Sequence, residues 1–308
     1  MTLDAMTVDN PVVWRSGPFE VELLPRLGAA VTALRWTGPD GRTHDLLRPA
    51  DAAARAGDNP AALSMFLMAP FCNRIDGGRF RFSGEIVTLP QNRPHEDMSI
   101  HGFVSDRAWA VECASDDGLV LSFERDDGPD PYRFRATFAV TADADAVTFS
   151  LKLESTTATL LPYGLGFHPY FPYTSDMTLD VWAAGTFGFS PRLLPESVSP
   201  SRALLGTGRA AALPDVAPLE IHFGHWDREA VLAWPSRALS VTLTASEPFK
   251  NLQIYVPPDR SACCVEPMSH LTDVLNRPAF AQWGYMETLG RGGTLAGAMT
   301  LRPQIVAP

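Results

Sequence analysis

The sequence has little cysteine, and the cysteines it has are poorly spaced for a structural site. Only four of 308 residues are cysteine, Cys72, Cys113, Cys263 and Cys264, and two of these are adjacent. No pair shows the CxxC spacing of zinc sites, and the spacing does not indicate a disulfide framework. We therefore predict four free thiols that are buried in the protein, as is typical of a reducing compartment.

Positive charge is also scarce. Lysine and arginine number 25 against 35 aspartates and glutamates, which gives a formal net charge of -10 and a pI of about 5.1. Nucleic acids and anionic membranes attract positively charged surfaces. We therefore expect neither nucleic acid nor a membrane as a main partner.

Long apolar runs are absent as well. No stretch reaches the roughly 20 apolar residues that a membrane-spanning helix needs. The first ten residues, MTLDAMTVDN, contain neither the basic region nor the apolar region of a signal peptide. We therefore expect a cytoplasmic protein.

Helical patterns are few. The segment from Asp51 to Met68 is the best candidate because it is rich in alanine, but Pro60 interrupts it. Elsewhere apolar and polar residues alternate, which is the pattern of β-strands. Trp109, Val111 and Cys113 alternate in this way up to a turn at 116–118.

Similar alternating segments follow one another along the chain, separated by turns. They include 79–88, 119–123, 132–140, 147–153, 239–243 and 252–256. No linker or shift in composition divides them. The pattern predicts one all-β domain over residues 1–308, a large antiparallel β-sandwich with few short helices.

Two segments place a titratable side chain in apolar surroundings. In GFHPYF, His168 lies among aromatic residues, where a partly desolvated imidazole has a pKa that can move across neutrality. In CCVEPM, Glu266 is predicted at the end of a buried strand, and a buried carboxylate is a candidate for a functional site. The alternatives are a core histidine with one hydrogen bond and an ion pair between Glu266 and an arginine such as Arg74.

A third polar segment contains Arg74, with His101 further along the chain. The planar guanidinium of Arg74 is suited to hydroxyl groups or to a carboxylate. Gly102, which follows His101, would let the backbone approach a ligand closely. Taken alone, each of these residues is more often structural.

Four motifs occur in order: NRIDGGRFRFSG, HGFVSDRAW, GFHPYF and VEPMSHLTDVLN. Together they resemble the aldose 1-epimerase (galactose mutarotase) family, over about residues 15–303. The resemblance implies a large antiparallel β-sandwich with an open sugar cleft. It also implies an enzyme that interconverts the α- and β-anomers of a free aldose by opening and closing the ring. Because this reaction needs only proton transfer and the cysteines lack ligand spacing, we expect no cofactor and no metal.

The resemblance also implies a role for each matching residue. His168 would be the general acid and Glu266 the general base. Because ring opening removes one proton and adds another, we expect these two groups on different sides of the sugar. Arg74 and His101 would bind the sugar, and Asn73 would lie beside them in the pocket.

One position departs from the family pattern. The family commonly has an aspartate shortly before an aromatic residue and upstream of a tryptophan, where it binds sugar hydroxyls. The aligned residue here is Glu220, and Asp227 is the alternative if the register shifts. A longer acid at this position would change which hydroxyls are recognised.

Other functions share parts of this pattern. A non-catalytic sugar-binding protein needs no proton donor and acceptor. A phosphosugar epimerase would need further arginines, for which Arg93 and Arg107 are candidates. A glycoside hydrolase would need two carboxylates across the sugar, and only Glu266 is a strong candidate. His222 and His225 form a weak metal pair, because residues three apart on a strand point to opposite faces.

The expected partner is therefore a small sugar molecule. We expect the protein to act as a monomer or a homodimer. The sequence does not identify the sugar.

Overall fold

Antiparallel strands form most of the structure. A computed structural model describes residues 10–200, 211–213 and 217–306. None of the helices within these ranges is long and apolar enough to cross a membrane. The strands of the described residues are β1 (Val12–Ser16), β2 (Phe19–Leu24), β3 (Ala30–Thr37), β4 (Thr43–Asp45), β5 (Met65–Met68), β6 (Arg74–Asp76), β7 (Arg79–Phe82), β8 (Glu85–Thr88), β9 (Met98–Ile100), β10 (Ala110–Ser115), β11 (Gly118–Arg125), β12 (Phe134–Ala142), β13 (Val147–Ser155), β14 (Leu161–Tyr163), β15 (Gly166–Phe171), β16 (Thr178–Phe189), β17 (Pro195–Pro200), β18 (Ala211–Ala212), β19 (Leu219–Trp234), β20 (Leu239–Ala245), β21 (Asn251–Val256), β22 (Cys263–Met268), β23 (Glu287–Leu289) and β24 (Thr294–Ile305).

The long strand β19 joins two branches of one sheet. It pairs with β16 along one edge, and along the other it pairs first with β21 and then with β20. One branch continues from β21 through β22, β15, β5, β3 and β2 to β1, and the other from β20 through β24, β13, β12 and β11 to β10. A single apolar core contains side chains from both branches, among them Phe167 and Phe149. The architecture is a large antiparallel β-sandwich, as the sequence predicts.

Strands β15 and β22 are covered on both faces. All six residues of each strand are buried. Phe167 and Val265 belong to the main core, whereas Tyr170 and Cys264 belong to a second apolar cluster on the opposite face. Because successive strand residues alternate between faces, polar side chains on the second face are buried as well.

The predicted helix between Asp51 and Met68 is wrong over most of its length. The α-helix α1 covers only Ala52–Ala56, where the Asp51 carboxylate caps its first turn and Gly57 ends it in the left-handed conformation. A 3₁₀ turn follows Pro60, and Met65–Met68 form β5. Every residue of β5 is buried and the strand pairs with β15, so tertiary packing decides its conformation.

The prediction that all four thiols are buried is wrong for one of them. Cys113 is exposed, while the three thiols of Cys72, Cys263 and Cys264 are free and buried. A β-bulge between Val111 and Cys113 shifts the pairing of β10 with β11. Before the bulge, Val111 pairs with the buried Leu121; beyond it, Cys113 pairs with the neighbouring residue Val120. Neighbouring strand residues point to opposite faces, so the Cys113 side chain lies on the solvent side.

A buried ion pair supports the segment that carries His101. The Asp130 carboxylate accepts two hydrogen bonds from Arg125, with N–O distances of 3.0 and 2.6 Å. The Arg125 guanidinium lies over the ring of Phe103, 4.3 Å from its centroid. Both charged side chains are almost fully buried. The backbone of Tyr132 completes their hydrogen bonds, because its carbonyl accepts from Arg125 and its N–H donates to Asp130.

We expect Asp130→Ala to lower the free energy of unfolding by about 3–5 kcal/mol, because it leaves the buried Arg125 without a counter-charge. Glu247→Ala is the matched control, since Glu247 pairs with Arg228 on the surface and exposed pairs contribute roughly 0–1 kcal/mol. Urea denaturation of both variants and the parent measures the difference. Equal, small effects would show that the buried pair is not a structural support.

Candidate active site

Strand register places polar side chains in one row across the sheet. His222 of β19 pairs with Gln253 of β21, and Gln253 pairs in turn with Glu266 of β22. Further along, His168 of β15 pairs with Phe66 of β5. Paired residues of antiparallel strands point to the same face. These side chains therefore share one face of the sheet.

His168 and Glu266 meet within this row. Strands β15 and β22 pair with Tyr170 opposite Cys264, and two residues along each strand His168 comes opposite Glu266. Nε2 of His168 lies 3.2 Å from Oε1 of Glu266. The two groups are thus in direct contact, whereas the ring-opening chemistry led us to expect them on different sides of a sugar.

Aromatic rings enclose the His168 imidazole. It stacks against Phe66 at a centroid distance of 4.3 Å and against Tyr170 at 4.7 Å, with an interplanar angle of 26° in both pairs. Burial lowers the pKa of His168 to about 3. The imidazole is therefore neutral at physiological pH unless a neighbouring group transfers a proton to it.

The Glu266 carboxyl is shielded from water, with only 1% of the residue exposed. Burial raises the pKa of Glu266 well above its usual value, the charge of Glu220 raises it further, and Arg74 opposes the shift. Its Oε2 has no hydrogen-bond partner among the described residues. Burial thus favours a neutral carboxyl beside a neutral imidazole, a pair that holds one proton between its two members.

Arg74 lies beside this pair and is held by carboxylates of other residues. Its Nη1 is 3.2 Å from Oε1 of Glu220 and 3.2 Å from Oδ1 of Asn73, and its Nε is 3.8 Å from Oε2 of Glu96. Its ion-pair partners are therefore Glu220 and Glu96, and the ion-pair partner of Glu266 is His168.

Of the two candidate acids, Glu220 lies in the site. Its side chain is 13% exposed, and burial raises its pKa although the Arg74 charge and hydrogen bond oppose the shift. Asp227 is exposed, and its carboxylate accepts a hydrogen bond from the backbone N–H of Glu229. Asp227 thus serves the local backbone of β19.

His101 presents one defined nitrogen to the site. Its Nδ1 accepts a hydrogen bond of 3.2 Å from the backbone N–H of Asn73, so Nε2 carries the proton of the neutral ring. The ring meets that of His168 edge-on, at a centroid distance of 5.3 Å. Burial, together with the charges of His168 and Arg74, lowers the pKa of His101 well below its usual value. His101 is therefore a neutral hydrogen-bond donor.

Gly102 makes a close approach to protein backbone. A Cβ on Gly102 would lie 1.9 Å from the carbonyl oxygen of Ala69, and the residue has a φ of +74°. The next residue, Phe103, donates its backbone N–H to the same oxygen at 2.7 Å. The glycine thus serves the packing that holds His101 in place, and the predicted close approach to a ligand is not what requires it.

The sequence matches the family model of aldose 1-epimerases over residues 17–296. The chain belongs to the aldose 1-epimerase family. A relative, the uncharacterized protein YphB of Escherichia coli K12, is 30% identical over 275 residues, which make up 84% of this chain and 89% of that protein.

Solved structures agree with this membership of the aldose 1-epimerase family. A candidate aldose 1-epimerase of Escherichia coli K12 superimposes with a TM-score of 0.85 at 26% identity, covering 96% of this chain and 99% of that one. The GalM/aldose epimerase homologue of C. elegans superimposes with a TM-score of 0.82 at 14% identity, covering 97% and 99%. The second likeness shows the fold alone.

Sequence reasoning missed two polar residues of the site, Asn251 and Gln253, and considered His222 only as a weak metal ligand. All are buried, and Gln253 shares its face with Glu266. The signal was present in the segment NLQIYV, where Asn251 and Gln253 alternate with apolar residues on a buried strand. Polar residues on the inward face of a strand require a hydrogen-bond partner and are therefore candidates for a functional site, as His168 is.

His222 connects the other two residues. Its Nε2 lies 2.9 Å from Oδ1 of Asn251, whose amide nitrogen donates to the carbonyl of Trp283, so Nε2 of His222 is the donor. Burial lowers the pKa of His222 to about 4, and the neutral ring leaves Nδ1 as an acceptor. The atom 3.0 Å away is assigned as Oε1 of Gln253, which is also an acceptor. The oxygen and nitrogen of a glutamine amide can be exchanged by rotating the group by 180°. A neutral His222 therefore favours the orientation in which the NH₂ group of Gln253 donates to Nδ1.

The remaining candidates of the sequence lie elsewhere or have other partners. His225 donates to the carbonyl of Gln282 at 2.9 Å and is exposed, so it does not join His222 in a metal pair. Arg107 lies 3.9 Å from the Asp106 carboxylate and 3.7 Å from that of Asp127. Arg93 is exposed, and its charge contributes to the lowered pKa of His101.

Burial of Glu266 has a consequence for stability. The pKa of Glu266 in the folded state lies above the unfolded value of 4.5. At pH values between these two pKa values the folded state binds more protons than the unfolded state. The free energy of unfolding therefore falls as the pH rises through this window. Each unit of pKa difference corresponds to about 1.4 kcal/mol. We expect Glu266→Gln to be more stable than the parent above this window, with the advantage growing as the pH rises above about 4.5.

Thermal unfolding followed by circular dichroism at several pH values measures this difference. Glu247→Gln, at an exposed ion pair, is the control and should show no such growth. If the stability difference between Glu266→Gln and the parent were independent of pH, the folded-state pKa of Glu266 would not be raised.

Proposed function

We propose that this member of the aldose 1-epimerase family is a mutarotase that interconverts the anomers of a free aldose. The observation that carries the proposal is the contact between His168 and Glu266, 3.2 Å apart and almost fully buried. A buried acid–base pair of this kind holds one proton that either member can carry. Moving one proton in and one proton out is the chemistry that ring opening requires.

The pair has two arrangements with the same number of protons. In one, Glu266 is a carboxylate and His168 an imidazolium; in the other, both are neutral. Ring opening converts the first into the second: Glu266 takes the proton of the C1 hydroxyl, His168 gives its proton to the ring oxygen, and the bond between C1 and the ring oxygen breaks. Rotation about the C1–C2 bond and the reverse steps close the ring on the other face of the aldehyde.

The direct contact between the two groups suits this reaction. The hydroxyl oxygen and the ring oxygen are both bonded to C1, so adjacent acid and base groups can serve them together. Burial favours the neutral arrangement, whereas the Arg74 charge favours an ionised Glu266. Burial is the larger of the two effects, so the neutral arrangement is the more stable one, and the Arg74 charge lowers the cost of reaching the ionised arrangement.

The surrounding polar groups are placed to hold the sugar. We assign hydroxyl binding to the protonated Nε2 of His101, to the Arg74 guanidinium beside Asn73, and to the Glu220 carboxylate. His222 orients the Gln253 amide by contacting one of its two polar atoms. The other polar atom of this amide has no protein partner among the described residues and is available to a further sugar hydroxyl.

We propose a free aldose over a phosphosugar because of the charges around Arg74. Glu220 and Glu96 already pair with this guanidinium, and Glu266 lies nearby. A phosphate group there would face these carboxylates, and like charges a few ångströms apart repel strongly at partly buried sites. An uncharged sugar avoids this repulsion.

We also place the enzyme in the cytoplasm, acting without a cofactor. The three free and buried thiols, Cys72, Cys263 and Cys264, suit a reducing compartment. Ring opening involves no change of oxidation state, so the proposed reaction needs no redox group.

We expect Glu266→Gln to lower kcat by about 10²-fold or more while weakening sugar binding much less, because the amide cannot accept the C1 hydroxyl proton. His168→Asn should act similarly, and the double variant should be little worse than the worse single variant. Polarimetry on freshly dissolved α-aldose, with the uncatalysed rate subtracted, measures kcat and KM.

Full activity in Glu266→Gln would exclude this residue as the base. A parent protein that binds sugar but shows no rate above that of water would instead support a non-catalytic sugar-binding protein. Circular dichroism of each variant controls for loss of the fold.

We expect the parent to have a higher kcat/KM for a free hexose than for the same hexose 6-phosphate. Glu220→Gln should narrow this preference by about tenfold, because it removes one of the carboxylates that repel the phosphate while keeping the side-chain length. Asp227→Gln is the control, since Asp227 is exposed and serves the local backbone. A preference for the phosphosugar in the parent would reverse the assignment of the substrate class.

A further inference from the structure

A third side chain lies against the acid–base pair. A ring nitrogen of His168, Sγ of Cys264 and a carboxylate oxygen of Glu266 all lie within 4.8 Å of one another, and all three residues are buried. Cys264 and Glu266 are two residues apart on β22, so both point to the face that β15 presents with His168. The mechanism proposed above does not use the thiol.

The three donors form a set that zinc prefers. Zn²⁺ binds imidazole nitrogen and carboxylate oxygen at about 2.0–2.2 Å and thiolate sulfur at about 2.3 Å, in a tetrahedral arrangement. Two ligands of one such ion lie roughly 3.3 Å apart, given these bond lengths. The observed distance of 3.2 Å between His168 and Glu266 is close to this value.

Charge and hydrogen bonding also suit a bound cation. Oε2 of Glu266 is buried and has no hydrogen-bond partner among the described residues. A carboxylate and a thiolate together balance the two positive charges of Zn²⁺, and a buried charge is tolerated only when it is compensated. A fourth coordination position would remain for water or a sugar hydroxyl.

We propose that Zn²⁺ binds to His168, Cys264 and Glu266 and reversibly inhibits the enzyme. The ion occupies both groups that move protons, so sugar turnover and metal binding exclude each other. The metal site rests on the geometry of the three ligands, whereas the inhibition rests on the proposed mutarotase function. Soft thiolate donors favour Zn²⁺ and similar ions over Mg²⁺ or Ca²⁺.

The test compares adjacent cysteines on opposite faces of β22. Cys264→Ala removes a ligand, and Cys263→Ala is the matched control because Cys263 belongs to the main core on the other face. Polarimetry with added zinc chloride should show inhibition of the parent and of Cys263→Ala that a chelator reverses. Cys264→Ala should retain the uninhibited rate and need about 100-fold more zinc, since losing even a residue that only orients a ligand costs about 10–100-fold in affinity.

Direct binding gives a readout that does not depend on activity. Cadmium chloride added to the parent and to Cys263→Ala should produce the ultraviolet charge-transfer absorption of a cadmium–thiolate bond, and added to Cys264→Ala it should not. Cys113→Ser is included in all samples, because the exposed Cys113 would otherwise bind metal on the surface. Circular dichroism verifies that each variant is folded.

Equal zinc sensitivity in the parent and in Cys264→Ala would overturn the proposal, as would the absence of a cadmium–thiolate band in the parent. If the band appeared in the parent and was lost only with Cys264, while the parent showed no mutarotase rate, the metal site would stand and the proposed function would fail. The two failures are therefore distinguishable.

Discussion

The structure depends most on the close contact, 3.2 Å, between two ionisable groups that the sheet keeps out of water. His168 and Glu266 lie on neighbouring strands, and burial moves the pKa of each toward its neutral form. The strands that flank the pair are hydrogen-bonded on both sides, β5 against β15 and β21 against β22. This backbone ladder fixes the two Cα positions relative to each other, so the proximity of the two side chains follows from the fold.

The charges around the pair are balanced by residues from distant parts of the chain. Arg74 follows directly on Asn73, whereas its partner Glu220 comes from β19 and lies 146 positions further on. This guanidinium offsets part of the carboxylate charge near Glu266, and the aromatic rings around His168 supply the apolar side of the site. The region is thus polar at Arg74 and apolar at His168, which is the division of surface that sugars, with their hydroxyls and C–H faces, require.

Sequence patterns predicted the parts of this arrangement that depend on local periodicity. Alternation predicted β12, β13, β20 and β21, and the polar segments named His168, Glu266, Arg74 and His101. The patterns failed where long-range pairing decides the outcome. Met65–Met68 form a strand because β15 is beside them, and Cys113 reaches solvent because of a bulge that its own sequence does not signal. Gln253 and His222 join the row only through the register of three strands, which no single segment encodes.

The proton and the metal ion place the same demand on these side chains. Proton transfer between nitrogen and oxygen requires the two atoms at hydrogen-bond distance in a dry site, and tetrahedral coordination requires nearly the same separation. The side chain at position 264 decides whether the pair can also bind a metal ion. A hydrocarbon side chain at position 264 would leave a proton-transfer site alone, whereas the Cys264 thiol supplies the third donor. Because β22 alternates, the neighbouring thiol of Cys263 lies in the opposite apolar core and cannot replace it. Register, rather than the number of cysteines, therefore determines whether this fold offers three donors to a soft metal ion at the proposed proton-transfer site.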